Sequence, residues 1–229
     1  MKPFDLVIFD CDGVLIDSEP LGAQALAEAI TAAGHQMTQA KAEAIFSGSG
    51  AAQTRLLLEQ LGLEADAVIA DADKRLSTLF AMGVAPVPGI EQVLRSLTVQ
   101  ICVASNSSVD RLAESLCRTP LAALFGSHIY SASHVARSKP APDLALHCLA
   151  QIGTTADRSI FVDDNIHGIG CARAAGILSI GFVGLSDHRP DHARTLRAAG
   201  ADHVVHGAQD LDALLTELTM PAHADHLVE

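Results

Sequence analysis

Residues 6–9, LVIF, form an unbroken apolar run that stops abruptly at Asp10-Cys11-Asp12-Gly13. An unbroken run, in place of strict alternation, marks a strand covered on both faces, as in a parallel sheet with helices on either side. The pattern recurs. Residues 101–104 halt at Ser105-Asn106, residues 160–162 halt at Asp163-Asp164, and 177–183 reads as a further strand, with weaker candidates at 128–130 and 203–205. Helical spacing fills the intervals at 90–97, 109–118, 142–152, 166–175, 192–199 and 211–218. Strands alternating with helices in this way predict an α/β fold built on a doubly wound parallel sheet.

Between residues 20 and 82 the alternation lapses. Four helical segments, 21–33, 39–46, 51–61 and 65–80, follow one another with no convincing strand, punctuated by Gly34, by Gly48 to Gly50 and by Gly62. A crossover between parallel strands needs about a dozen residues, so a stretch of about 65 predicts an inserted helical unit. The outgoing hinge is expected at residues 17–20, and Pro86, Pro88 and Gly89 mark the return. The predicted division is therefore an α/β core of residues 1–17 and 86–229 and a small helical domain of residues 18–85. Residues 220–229 carry no periodicity and are expected to fray.

Composition narrows the function. The 229 residues are 49% hydrophobic, enough for a substantial core, and carry a formal charge of −12, a field that disfavours nucleic acid and anionic membrane as partners. Apolar runs fall well short of the ~20 residues of a spanning helix, and no signal-peptide pattern opens the chain. A cytoplasmic monomer is the expectation. The 5 cysteines are odd in number and mostly sit in apolar segments, as reduced packing thiols do. Cys11, between two aspartates on an extended segment, should point away from them into the core. Six of the 11 histidines cluster after residue 187, but Pro190 interrupts the one helical pair, and surface or core roles are expected for them.

In open parallel sheets, residues just beyond the carboxyl ends of the strands converge on one crevice. That rule gathers Asp10, Asp12, Ser105, Asn106, Asp163 and Asp164. Four carboxylates together repel one another unless a cation neutralises them or some are protonated. An all-oxygen donor set with places left for water and a phosphate oxygen suits Mg²⁺. Lys139, just before a predicted helix, can reach the same edge as a point charge for phosphate.

These residues lie in four motifs: FDCDGVLIDSEP at 9–20, VASNS at 103–107, SKPAPD at 138–143 and FVDDNIHG at 161–168. Together and in this order they closely resemble the haloacid dehalogenase superfamily, in its branch of sugar-phosphate phosphatases and β-phosphoglucomutase-like proteins with a helical cap inserted after the first motif. The resemblance implies a Rossmann-like core, an aspartyl-phosphate intermediate on Asp10, and Asp12 as general acid and base. It implies Mg²⁺ held by Asp10, by the backbone carbonyl of Asp12, and by Asp164 with Asp163 beside it. It implies that Ser105, Asn106 and Lys139 grip the phosphoryl oxygens. A sugar or polyol phosphate is the expected substrate, 6-phosphogluconate among the candidates, selected by the cap through Gly48, Ser49 and Arg55. Asp12 argues against a dehalogenase. The mutase branch places a His and an Arg where this chain has Gly22 and Ala51, which favours hydrolysis over phosphate transfer within a sugar, and Asn165 stands where that branch commonly has Ser. A non-catalytic sensor of phosphorylated ligands is the alternative from another class; the cap and Asp12 speak against it.

Overall fold

The computed structural model describes residues 4–47, 49, 51–187 and 189–220. Six strands, β1 (Leu6–Phe9), β2 (Gln100–Ser105), β3 (Ile129–Ser131), β4 (Ser159–Asp163), β5 (Leu178–Val183) and β6 (His203–His206), form one parallel sheet in the order β3-β2-β1-β4-β5-β6. The order reverses at β1, the kind of switch point where a crevice opens beyond the strand ends. Successive residues of β1 serve opposite faces, which is why its run is unbroken. Val7 and Phe9 enter a cluster with Ile90 and Val93 of α5 (Ile90–Ser96) and Leu211 and Leu215 of α11 (Gly207–Thr219). Leu6 and Ile8 pack with Leu144 and Cys148 of α8 (Asp143–Ile152) and with Cys171 of α9 (Ile166–Ala175). Cys11 lies in the first cluster, and among the described residues all five cysteines are free thiols.

The stretch without strands folds as α1 (Glu19–Ala32), α2 (Gln39–Phe46), α3 (Ala51–Gln60) and α4 (Ala65–Met82), with an apolar cluster of its own around Ile30, Phe46, Leu58 and Val68. Where the chain leaves and rejoins the sheet, the two segments run side by side. Asp17 N donates to Ala85 O (2.9 Å), Val87 N donates to Leu15 O (2.9 Å), and Ile16 and Pro86 form an antiparallel bridge.

Three local expectations change. The helix expected over 109–118 stops as α6 (Val109–Glu114), where the Ser115 backbone leaves helical geometry (φ −109°, ψ −91°), and a 3-10 turn follows at Leu116–Arg118. A short α7 (Ala122–Phe125), unforeseen in the pattern, brings Phe125 edge-on to Phe9 with ring centroids 6.3 Å apart. The final helix starts four residues early, at Gly207. The remaining helix, α10 (His192–Ala198), covers β5 and β6. No helix among the described residues is long and apolar enough to cross a membrane.

Candidate active site

Strand register sets the site. Phe9 is level with Val103 on one side and Val162 on the other, so the next residues, Asp10, Ala104 and Asp163, form a tier across three strands. Lys139 closes this tier. Its Nζ donates to Asp10 Oδ1 (2.7 Å), Asp163 Oδ2 (2.7 Å) and Ala104 O (3.0 Å), which uses all three ammonium hydrogens. The lysine comes from the segment after β3 and is held there by Asn106, whose Oδ1 accepts from Lys139 N (3.0 Å) and whose Nδ2 donates to Lys139 O (3.1 Å). Asn106 thus places the lysine through its side chain, a role its position after β2 did not reveal.

Asp12 shares the cavity with these acids but has different partners. Its Oδ2 accepts from Ser107 Oγ (3.0 Å), and the Ser107 N–H donates to the buried Ser105 Oγ (3.0 Å). Asp163 Oδ1 accepts from Asn165 N (2.8 Å), and the Asn165 side chain in turn caps α9 by accepting from His167 N (3.0 Å). Two glycines make room for the paired acids. A Cβ on Gly168 would overlap the Asp163 carboxylate, and one on Gly13, whose φ of +77° already favours glycine, would lie 2.8 Å from Asp164 Cγ.

The carboxylates of Asp10, Asp163 and Asp164 can each place an oxygen within 4.8 Å of the others, the one such grouping of potential metal ligands among the described residues. The carboxylate of Asp12 is not part of it. Burial raises the pKa of Asp10, with the Asp163 and Asp12 charges adding to the rise and Lys139 opposing it. Asp163 is raised by the same kind of desolvation, and Asp164 is pushed up to about 7. Burial would neutralise Lys139, but Asp10 and Asp163 outweigh it and hold the ammonium charged. Crowded, buried, all-oxygen acids that resist ionisation fit a hard divalent cation, which would relieve their repulsion.

The site opens into a cavity of about 840 Å³ that is also lined by Glu19, Ser47, Arg111, Arg189 and His192. Arg189 and its neighbours were missed in the sequence. Its Nη2 donates to Asp164 Oδ2 (2.7 Å) and Asp187 Oδ2 (3.0 Å), and its Nε donates to Asp187 Oδ1 (2.9 Å). Burial opposes ionisation of Asp187, but hydrogen bonds from His192 and Arg189 hold it well below the usual carboxylate range. His192 is thus a buried structural partner, in keeping with the role expected for it. The strand-end rule that found the four aspartates applies equally to the segment after β5, where the histidines and Pro190 drew attention away from Arg189.

The residues expected to read the substrate are dispersed. Ser49 donates its N–H to Phe46 O (2.9 Å) and is not among the cavity-lining residues, whereas Ser47 is; Gly48 lies outside the described residues. Arg55 is a correction. It pairs with Asp66 at the solvent surface, away from the cavity, because α3 turns it toward α4.

Comparisons with known proteins agree with the fold. The chain is 39% identical to a haloacid dehalogenase-like protein of unknown function from Agrobacterium tumefaciens, covering 95% of this chain and 100% of that one with a TM-score of 0.84. It is 30% identical to a HAD family hydrolase from Deinococcus radiodurans solved with bound phosphate and sodium, covering 96% and 99% with a TM-score of 0.81. It is 23% identical to the 6-phosphogluconate phosphatase of Escherichia coli over 83% of this chain and 87% of that protein. Residues 7–182 match the model of the haloacid dehalogenase-like hydrolases, and the chain belongs to that family.

Proposed function

We propose that this chain is a divalent-metal-dependent phosphatase of small sugar or polyol phosphates that works through a phosphoryl group carried on Asp10. The observation that carries this reading is the Lys139 ammonium locked between Asp10 and Asp163 at the strand ends, with Asp12 beside them at the same cavity. Lys139 engages Asp10 Oδ1, which leaves Oδ2 to attack phosphorus. As the new Oδ2–P bond forms, the bond from phosphorus to the ester oxygen breaks, and Asp12 gives that oxygen its proton. In the second half, Asp12 takes a proton from water as the water oxygen bonds to phosphorus, and Asp10 departs as a free carboxylate. Ser105 and the backbone N–H of Asn106 would hold the phosphoryl oxygens, and Lys139 would offset their charge.

Asp10, Asp164 and the Asp12 carbonyl would hold Mg²⁺, with Asp163 fixing Lys139 alongside; the ion would supply charge stabilisation to the phosphoryl oxygens. Residues 18–85 act as a cap whose Ser47 faces the reacting groups and whose closure excludes water. Hydrolysis is favoured over mutase chemistry because Gly22, on α1, offers no imidazole to serve a second phosphate transfer.

Release of inorganic phosphate from an aryl phosphate and a sugar-phosphate panel, with Mg²⁺ or with EDTA, tests the reading. Asp10→Asn and Asp12→Asn should each lose about 10⁴-fold or more, since groups acting as a unit fail together. Turnover that survives EDTA or Asp10→Asn would overturn it, and so would stable labelling of Asp10 with no turnover.

A further inference from the structure

Three cations line the catalytic cavity: Lys139, Arg189 and Arg111. Carboxylates hold the first two. Arg111 differs. Its backbone N–H is fixed by the Ser108 cap of α6 (3.2 Å), six residues beyond Ser105, and its guanidinium carbon sits 5.2 Å from the ring centroid of buried Phe80 on α4. That cation–π contact holds the guanidinium against the aromatic ring, and its five N–H donors lie at the rim of its plane. Among the described residues none accepts a hydrogen bond or forms an ion pair with that rim.

The same arginine lines an adjoining recess of about 220 Å³ beneath the inserted helices, and Asp12, Glu19 and Ser47 line both spaces. The recess offers the hydroxyls of Ser18, Ser47 and Thr54. An ester oxygen protonated by Asp12 belongs to a leaving group that must lie on Asp12's side of the phosphorus, and the recess opens there. A positioned, unpartnered planar cation at that point matches a planar or tetrahedral anion. In a chain with a net charge of −12, it also offsets the repulsion that a doubly anionic substrate would meet.

We propose that Arg111 reads a second anionic group, a carboxylate or another phosphate, on the leaving group of the phosphate ester. This deepens the phosphatase reading and rests on it. The preferred substrates are then sugar-acid phosphates or bisphosphates, and neutral polyol phosphates are poor ones.

Three probes of similar chain length separate the sources: gluconate 6-phosphate, fructose 1,6-bisphosphate and the neutral glucitol 6-phosphate. Hydrogen bonds to charged groups contribute about 1.5–3 kcal/mol, so the wild type should favour at least one anionic probe over glucitol 6-phosphate by about 10- to 150-fold in kcat/KM. Preference for gluconate 6-phosphate alone assigns a carboxylate, and preference for the bisphosphate alone assigns a second phosphate. Arg111→Met should bring the ratio to within about threefold of unity, chiefly through KM, and Arg111→Lys should retain part of it, because the charge remains while the fork is lost. The wild-type ratio decides even if the Met variant fails to fold. A wild-type ratio near one, or a ratio unchanged in Arg111→Met, overturns the inference and leaves the phosphatase standing. No phosphate release from any probe in Mg²⁺ overturns both.

Discussion

Gly168→Ala sets helix propensity against the site. Gly168 lies inside α9, and an alanine there would ordinarily stabilise a helix by about 1 kcal/mol. Here the new methyl would occupy the space of the Asp163 carboxylate, including the oxygen bonded to Lys139. The helix cannot easily slide away, because Asn165 ties its first turn to Asp163 through one hydrogen bond (2.8 Å) and caps it through another (3.0 Å). Asp163, 1% exposed, must therefore give up the Lys139 and Asn165 bonds with no water to replace them. Breaking a buried ion pair costs about 3–5 kcal/mol, which leaves a net loss of about 2–4 kcal/mol after the helix gain. For a chain of this size that is a fall of about 4–16 °C in the thermal midpoint. Thermal unfolding at pH 8 in EDTA measures it, with Gly22→Ala as the control, since nothing lies within 4 Å of a Cβ there and the alanine should be neutral or stabilising. A Gly168→Ala midpoint equal to or above wild type would refute the steric reasoning.

Lys139→Met leaves Asp10 and Asp163 facing each other without their shared cation, and should lose about 3–5 kcal/mol at pH 8 in EDTA but less at pH 5, where a shared proton can replace the ammonium. Equal losses at the two pH values would contradict this. Burial raises Asp10 and Asp164 from an ordinary 3.8 to about 7 in the metal-free fold, so the folded state binds more protons than the unfolded chain between these values. Their contribution is full below pH 4 and lost as pH rises through 7; urea unfolding in EDTA should show the carboxyls weakening the fold across that window, and Mg²⁺ should flatten the trend. A stability that climbs between pH 4.5 and 7 in EDTA would count against it. Arg189→Met removes the cation from Asp164 and Asp187, and should lower the midpoint in EDTA while enlarging the rise on adding Mg²⁺. Differential scanning fluorimetry reads both, and an unchanged Mg²⁺ response would argue that Arg189 does not balance Asp164.

Legibility followed the physics of each element. Strands buried on both faces write themselves as unbroken apolar runs, so β1, β2, β4 and β5 could be read to within a residue or so of their ends. Their register then brings Asp10 level with Asp163. The break at Ser115 is a change of backbone dihedrals, which periodicity does not register. The short α7 has too few turns to show a period. Around the cavity, acids at strand ends were readable because they come directly after unbroken apolar runs. Ser47 and Arg111 were not, because a helix-end serine and a helix-borne arginine look like ordinary surface until the inserted helices are placed over the sheet.

The paired segments at Asp17 and Ala85 have a structural consequence. Because the chain departs and returns as hydrogen-bonded neighbours, the inserted helices join the sheet through one two-stranded stem, while Ala25, Leu76 and Phe80 seat them against the core cluster that also holds Phe9. Nothing in the tier of Asp10, Lys139 and Asp163 crosses that stem. Helices of another shape grafted onto the same two residues would present new contacts to an unaltered tier, provided they refill the apolar seat of those three side chains and again supply a ring for Arg111 of α6.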